Sequence, residues 1–243
     1  MEEAIRHLDN LAVLGRTVSA IAHEIRNPLT GIAAGIQYLD RSAELNEDHK
    51  ENITLILAEV DRLNRIITDL FKVAKPRDLL YLPAEMSLIV EKSFKSISDI
   101  IDSRKIVFTS NIGSEVPKVE VDPDQITQVL INLIKNAAEA VEEGGHVSVS
   151  VRPVDGSEPD MRKVQGKETF IIEVADNGPG IPEENQARVF DPFFTTKAPG
   201  EGTGLGLNIS HGIVVEKHGG HITVESTPGA TLFTVKLPIA GSA

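Results

Sequence analysis

Asp122-Pro123-Asp124-Gln125-Ile126-Thr127-Gln128-Val129-Leu130-Ile131-Asn132-Leu133-Ile134-Lys135-Asn136 decides the fold of the larger part of this chain. Asp122 reads as an N-cap. Pro123 takes the first helical position, where a missing N–H costs nothing, and Gln125 completes a capping box. The helix so opened, over about Ile126–Val141, carries Ile126, Val129, Leu130, Leu133 and Ile134 as an apolar stripe. Upstream, short strands are expected at Val119–Val121 and Ile106–Thr109, and a helix over about Ala84–Ile101. Downstream, His146–Val151 alternates with valines on one face, the signature of a half-buried strand. Arg152–Lys167 is polar with Pro and Gly and reads as a loop. Strands at Thr169–Ala175, Ile222–Glu225 and Leu232–Leu237 complete a largely antiparallel sheet. Helices on one face of such a sheet make a two-layer α/β sandwich, and the whole chain is α+β.

The N-terminal part is helical only. Leu11, Leu14, Val18, Ile21, Ile25, Leu29, Ile32, Ile36 and Leu39 form one stripe on a helix from about Ile5 to Leu39. Met1–Asp9 reads as the tail of an incoming helix. After the polar break Ser42–Asp48, with Asn46 as N-cap, a second helix carries Ile53, Leu57, Val60, Leu63, Ile67, Leu70 and Val73. It ends at Lys75-Pro76, because the residue before a proline leaves the α region. A two-helix hairpin encloses no core alone, whereas two hairpins make a four-helix bundle. A homodimer is therefore expected, the alternative being a hairpin packed on its own C-terminal domain. The expected domains are 1–76, a linker at 77–83, and 84–243.

Composition narrows the function. The chain has 243 residues, 41% apolar, and a mean hydropathy of −0.06, which fits a globular protein with a real core. No apolar run approaches the roughly 20 residues that span a bilayer, so no membrane contact is expected from this segment. No signal-peptide pattern opens the chain. With no cysteine, disulfides and thiolate metal sites are excluded. A formal charge of −12 argues against a nucleic-acid surface and suits a basic partner or a Mg²⁺-bound nucleotide.

Four further stretches carry chemistry. In Ala22-His23-Glu24-Ile25-Arg26-Asn27-Pro28, His23 points roughly opposite the apolar stripe and shares its face with Arg16, Asn27 and Thr30. That leaves an inert surface histidine or a reactive one, since an imidazole near pKa 6.5 can attack phosphorus while its other nitrogen is held by an acceptor. Asp176-Asn177-Gly178-Pro179-Gly180 ends a strand with a carboxylate and two glycines, which suits a turn or backbone lying close to a ligand. Such a carboxylate can accept from an exocyclic amine. Gly202-Thr203-Gly204-Leu205-Gly206 opens the apolar helix Leu207–Val215, and a glycine-rich helix N-terminus is an anion site. It is neither the dinucleotide fingerprint nor a P-loop. Between them lies Phe190-Asp191-Pro192-Phe193-Phe194-Thr195-Thr196-Lys197, an anchored loop followed by a glycine-flanked stretch suited to a lid with a cation. Asn132 and Asn136 share a helix face, and an amide oxygen is a hard ligand fit for Mg²⁺.

In this order and spacing the motifs resemble the H, N, G1, F and G2 boxes of two-component sensor histidine kinases, over nearly the whole chain. The likeness is greatest to the nitrogen-regulation-sensor class. It implies a dimeric helical-hairpin phosphotransfer domain and an ATP-binding domain of the gyrase/chaperone/histidine-kinase type. It implies ATP and Mg²⁺ as cofactors, a protein histidine kinase that phosphorylates itself on His23, and transfer to an aspartate of a response regulator receiver domain. Glu24 would assist His23, and Asn27 would position water when the phosphorylated regulator is hydrolysed. Asn136 would bind Mg²⁺ and Asp176 would read adenine. Asn132, Lys135, Gly178, Gly180, Phe193, Thr196, Lys197, Gly202, Thr203, Gly204, Leu205 and Gly206 would complete the nucleotide site. Some relatives carry a lysine three positions after the Mg²⁺ asparagine, where this chain has Glu139. Gyrase-type relatives place a catalytic glutamate four residues before that asparagine, where this chain has Asn132. The resemblance also implies a cytoplasmic location, alone or as the cytoplasmic part of a longer sensor.

Overall fold

The computed structural model describes residues 29–39, 47–74, 79–113, 116, 118–154, 163–164, 167–197 and 202–239. His23, Glu24, Asn27 and the expected N-cap Asn46 lie outside the described residues. The chain divides into two compact units, Met1–Asp78 with Thr195–Leu205, and Leu79–Phe194 with Gly206–Ala243.

In the first unit, residues 29–39 form helix α1 and Glu47–Ala74 forms α2. Helix α2 is described as far as Ala74, and Lys75-Pro76, expected to end it, lie outside the described residues. Leu29, Val60 and Ile67 are buried together, with Ala33 packed on them. Among the described residues Ile36, Ile53 and Leu57 are half-buried, and other apolar side chains are exposed. Ile32 and Leu39 are 48% and 55% exposed, and Ile56 and Leu63 are 46% and 37% exposed. Each pair is seven residues apart, so among the described residues each helix keeps part of its apolar stripe exposed.

The second unit is built on a sheet in the order β2-β4-β6-β8-β7. Its strands are β2 (Val107–Ile112), β4 (His146–Pro153), β6 (Lys167–Asp176), β7 (His221–Thr227) and β8 (Ala230–Pro238). Only β2 and β4 pair in parallel. The other neighbours are antiparallel. Helix α5 (Pro123–Ala140) lies on this sheet and buries Ile126, Val129, Leu130, Leu133, Ile134 and Ala138 completely. Opposite them are Val147, Val149, Phe170, Ile172, Val174 and Val235, each at most 1% exposed. Truncating Ile126, Leu130, Leu133, Ile134 or Ile172 to alanine costs about 2–5 kcal/mol.

Four elements differ from the expectations. The helix expected over 84–101 is two, α3 (Met86–Lys95) and α4 (Ser98–Ser103). The Ser96 and Ser98 hydroxyls bond the carbonyls of Lys92 and Lys95 at 3.0 and 3.1 Å, competing with the helix at the break. Leu82 and Pro83, expected in the linker, form strand β1 (Leu82–Ala84) paired antiparallel with β3 (Val119–Val121). Within the expected loop 152–167, β4 runs on to Pro153 and a short β5 (Lys163–Val164) pairs with β6. A single turn, α6 (Glu183–Gln186), was not anticipated.

The helix after the second glycine-rich stretch is α-helical as α7 (Gly206–His211), then widens into π-type turns over Gly212–Lys217. Gly219, at φ 61°, stops it in the left-handed region.

Candidate nucleotide-binding site

The cap of α5 forms as read, but only half of the box does. Asp122 Oδ1 accepts from the Gln125 N–H at 3.1 Å. Gln125 does not return the bond. The Asp122 N–H instead donates to His218 Nε2 at 3.1 Å, and Gln125 Oε1 accepts from Lys217 Nζ at 3.0 Å. Sequence spacing could not show this, because the partners lie more than ninety residues apart.

Asp176 stands at the end of β6, 8% exposed. Burial pushes its carboxyl above the ordinary 3.8, opposed by the Gly178 N–H, which donates to Oδ1 at 2.9 Å. Asn177 fastens this corner by accepting from the His146 N–H at 2.7 Å through Oδ1. A Cβ on Gly178 would sit 2.8 Å from Asp176 Oδ1 and 3.2 Å from Ala140 Cβ, so the corner packs directly on the end of α5. Gly180, at φ 84°, presses on the Thr227 carbonyl, where no side chain fits. The result is a buried carboxylate among bare backbone beside α5, which is the surrounding a flat polar ring needs.

Asn136 is half-buried on α5, one turn beyond Asn132. Asn132 itself is engaged by protein. Its Nδ2 donates to the Gly206 carbonyl at 3.0 Å and to Ser210 Oγ at 3.2 Å, and its Oδ1 accepts from Gln128 Nε2 at 2.9 Å. Asn132, expected among the nucleotide contacts, also clamps the start of α7 on α5. Lys135 pairs with Glu139 at 3.7 Å, so the residue that replaces a lysine of some relatives faces a lysine one turn back.

The phenylalanine segment is not ordinary core. Phe190 and Phe194 are half-buried and Phe193 is 60% exposed, at φ 65°. A positive φ in a bulky non-glycine residue is strained. Phe190 stacks near His211 at 5.6 Å, and its carbonyl accepts from Asn208 Nδ2 at 3.0 Å. Arg188 lies 4.8 Å over the Phe194 ring. Asn208 thus ties this segment to α7, a role that its sequence neighbours do not signal.

The described residues 195–197 and 202–205 make local turns of their own. The Lys197 N–H donates to Thr195 Oγ1 at 3.2 Å, and a Cβ on Gly202 would meet that oxygen at 3.1 Å. The Leu205 N–H donates to Thr203 Oγ1 at 3.3 Å, and Gly204 has φ 66°. Thr196 is exposed and Leu205 buried. Among the described residues no group of three or more acidic, histidine or cysteine side chains could hold a metal ion, and no helix is long and apolar enough to cross a membrane.

Comparison with known proteins agrees with this geometry. A profile for histidine kinase-, DNA gyrase B-, and HSP90-like ATPases matches residues 121–241, and one for the His Kinase A (phospho-acceptor) domain matches residues 13–78. The sensor histidine kinase ZraS of Klebsiella oxytoca is 36% identical over 99% of this chain and 49% of its own length. The sensory histidine kinase/phosphatase NtrB of Vibrio alginolyticus is 32% identical over 91% of this chain and 61% of its own. The crystal structure of histidine kinase ThkA in complex with response regulator protein TrrA matches with TM-score 0.68 and 30% identity, over 98% of this chain and 66% of that one. ThkA's catalytic domain alone matches with TM-score 0.54 and 30% identity, over 67% of this chain and 99% of that domain. The chain spans about half the length of the first curated relatives it matches. It belongs to the two-component sensor histidine kinases, as a catalytic core that joins a phospho-acceptor domain to a gyrase-type ATPase domain.

Proposed function

We propose that this chain phosphorylates itself on His23 from ATP and passes the phosphoryl group to an aspartate of a response regulator. The buried Asp176 carboxylate, set among bare backbone at the end of β6, carries the reading. It accepts from the exocyclic amine of adenine while the Gly178 N–H holds its orientation. Asn136 would hold Mg²⁺ through its amide oxygen, and the ion would offset phosphate charge. Lys197, Thr196 and the backbone of Gly202, Thr203, Gly204 and Leu205 serve the phosphates, with Lys135 released from Glu139. The imidazole of His23 attacks the γ-phosphorus, a P–N bond forms, and the bond to the β-phosphate oxygen breaks. Glu24 holds the other ring nitrogen. The protein contributes positioning and charge, as phosphoryl transfer requires.

Simple ATP hydrolysis is the weaker reading. A hydrolase of this superfamily needs a base to activate water where this chain has Asn132, and that amide is bonded to Gly206, Ser210 and Gln128. The exposed apolar residues Ile32, Leu39, Ile56 and Leu63 support a homodimeric four-helix bundle. The test of the function is incubation with Mg²⁺ and γ-labelled ATP. Acid-labile, base-stable label is expected, and its absence overturns the proposal.

Asn136→Ala is expected to weaken ATP binding in a Mg²⁺-dependent way. The variant and parent should bind ATP alike without Mg²⁺ and diverge as it is added. Divergence that ignores Mg²⁺ removes the ligand role of Asn136.

A second activity on the first helix, phosphatase action on the regulator, rests on Asn27, four residues past His23 and on the same face. An amide there orients water against a docked phosphoaspartate without serving imidazole attack. Asn27→Ala should keep autophosphorylation and transfer and lose dephosphorylation, followed as decay of purified phosphorylated regulator. Loss of autophosphorylation as severe as in His23→Ala would make Asn27 part of the kinase geometry.

A further inference from the structure

Away from the nucleotide corner, the second unit buries a polar cluster around Asp122 and His218, 0% and 5% exposed. Asp122 fastens three pieces of chain. Its Oδ1 caps α5 through Gln125, its Oδ2 accepts from the Leu80 N–H at 3.0 Å, and its own N–H donates to His218 Nε2 at 3.1 Å. With Nε2 accepting, the ring proton sits on Nδ1, which donates to the Ile213 carbonyl at 2.8 Å. Tyr81 closes the cluster. Its ring stands edge-on to His218 at 5.5 Å, and its hydroxyl donates to the Lys217 carbonyl at 2.8 Å.

Leu80 and Tyr81 belong to the chain that arrives from the first unit. Asp122 begins the helix that carries Asn132 and Asn136. Ile213, Lys217 and His218 end the helix that begins at Gly206. These two helices are therefore joined twice, by Asn132 on Gly206 and Ser210 at one end and by the Asp122–His218 pair at the other. Ten residues of α5, about 15 Å, separate the two joints. We propose that the Asp122–His218 pair is a positioning element that holds α5, α7 and the arriving chain in register, and so sets nucleotide affinity from outside the pocket. This rests on the ATP-binding reading given above.

Only a neutral ring satisfies both bonds. A proton on Nε2 would turn a donor toward the Asp122 N–H. Burial holds His218 below the ordinary 6.5, the Ile213 carbonyl and Asp122 act upward, and Lys217 acts downward. Asp122, Lys217 and Tyr81 are the titratable groups facing the ring. Because the folded value is depressed, the neutral ring and its contact persist below 6.5 and are lost as pH falls through the folded value.

The experiment titrates the full chain with Mg²⁺ and trinitrophenyl-ATP between about pH 5 and 8, for the parent and three variants. His218→Asn keeps a donor for Ile213 but leaves the Asp122 N–H without its acceptor. Affinity at neutral pH should fall about tenfold, the range expected for one unsatisfied buried donor. His218→Gln keeps an acceptor and does not titrate, so it should bind near the parent's affinity at neutral pH and lose less on acidification. Tyr81 is 45% exposed, so Tyr81→Ala leaves the core intact but lets water reach His218, and the acid limb should move to higher pH. A lower melting temperature for His218→Asn with unchanged affinity overturns the proposal. So does a His218→Gln profile that superimposes on the parent's, or an acid limb that Tyr81→Ala leaves in place. Absence of binding by the parent itself identifies failure of the ATP reading instead, and the positioning role falls with it.

Discussion

His23→Ala should incorporate no label from γ-labelled ATP while binding Mg²⁺-ATP with the parent's affinity. The split follows from the separation of labour along the chain. His23 lies within the phospho-acceptor match at residues 13–78, whereas Asp176 and Asn136 lie in the ATPase match at 121–241. Alanine deletes the attacking nitrogen and leaves the adenine corner as it was. No rescue is expected from other histidines. His218 is buried with both nitrogens engaged, and His211 lies against the Phe190 ring. The measurement is label retained on the chain after base treatment, beside a binding titration on the same preparation. Base-stable label persisting in the variant would place the nucleophile elsewhere. Loss of both label and binding would mean that His23 holds the fold.

What could be read from the sequence was whatever local chemistry decides. Helix α5 was legible because its cap, its proline and its stripe agree within fifteen residues. Strand β4 was legible because valines alternate at 147, 149 and 151. The break between α3 and α4 was hidden because Ile97 continues the apolar pattern across it, buried at 3%. Strand β1 was hidden because three residues with a central proline carry no periodicity; only pairing with β3 makes them a strand. The π-type turns were hidden because they keep the same apolar face. At the site, Asp176 and Asn136 could be named as candidates from the sequence, while the engagement of Asn132 could not. Its partners Gly206 and Ser210 are 74 and 78 residues away, and only the fold brings them together.

Asp176→Asn is expected to move stability and binding in opposite directions. In the folded chain burial raises the Asp176 carboxyl above its ordinary 3.8, so the folded state holds that proton more tightly than the unfolded one. Stability contributed by this group is full below about 3.8 and is lost as pH rises through the folded value. At neutral pH the empty site therefore carries an ionised carboxylate in a place that disfavours it. An asparagine oxygen can still accept from the Gly178 N–H, and the charge is gone. The nucleotide-free variant should melt above the parent at neutral pH, and the difference should shrink toward pH 4. Binding changes the other way. The amide presents N–H groups where the carboxylate presented an acceptor, so the adenine amine meets a donor. Losing a hydrogen bond to a charged group, about 1.5–3 kcal/mol, weakens ATP by roughly ten- to a hundredfold. Guanine carries a carbonyl at that position, so preference for ATP over GTP should relax or reverse. Melting curves without nucleotide at several pH values, and competition between the two nucleotides, measure both halves. A variant that melts below the parent at neutral pH would show that the carboxylate stabilises the corner. An unchanged ATP-to-GTP ratio would show that Asp176 does not read the base.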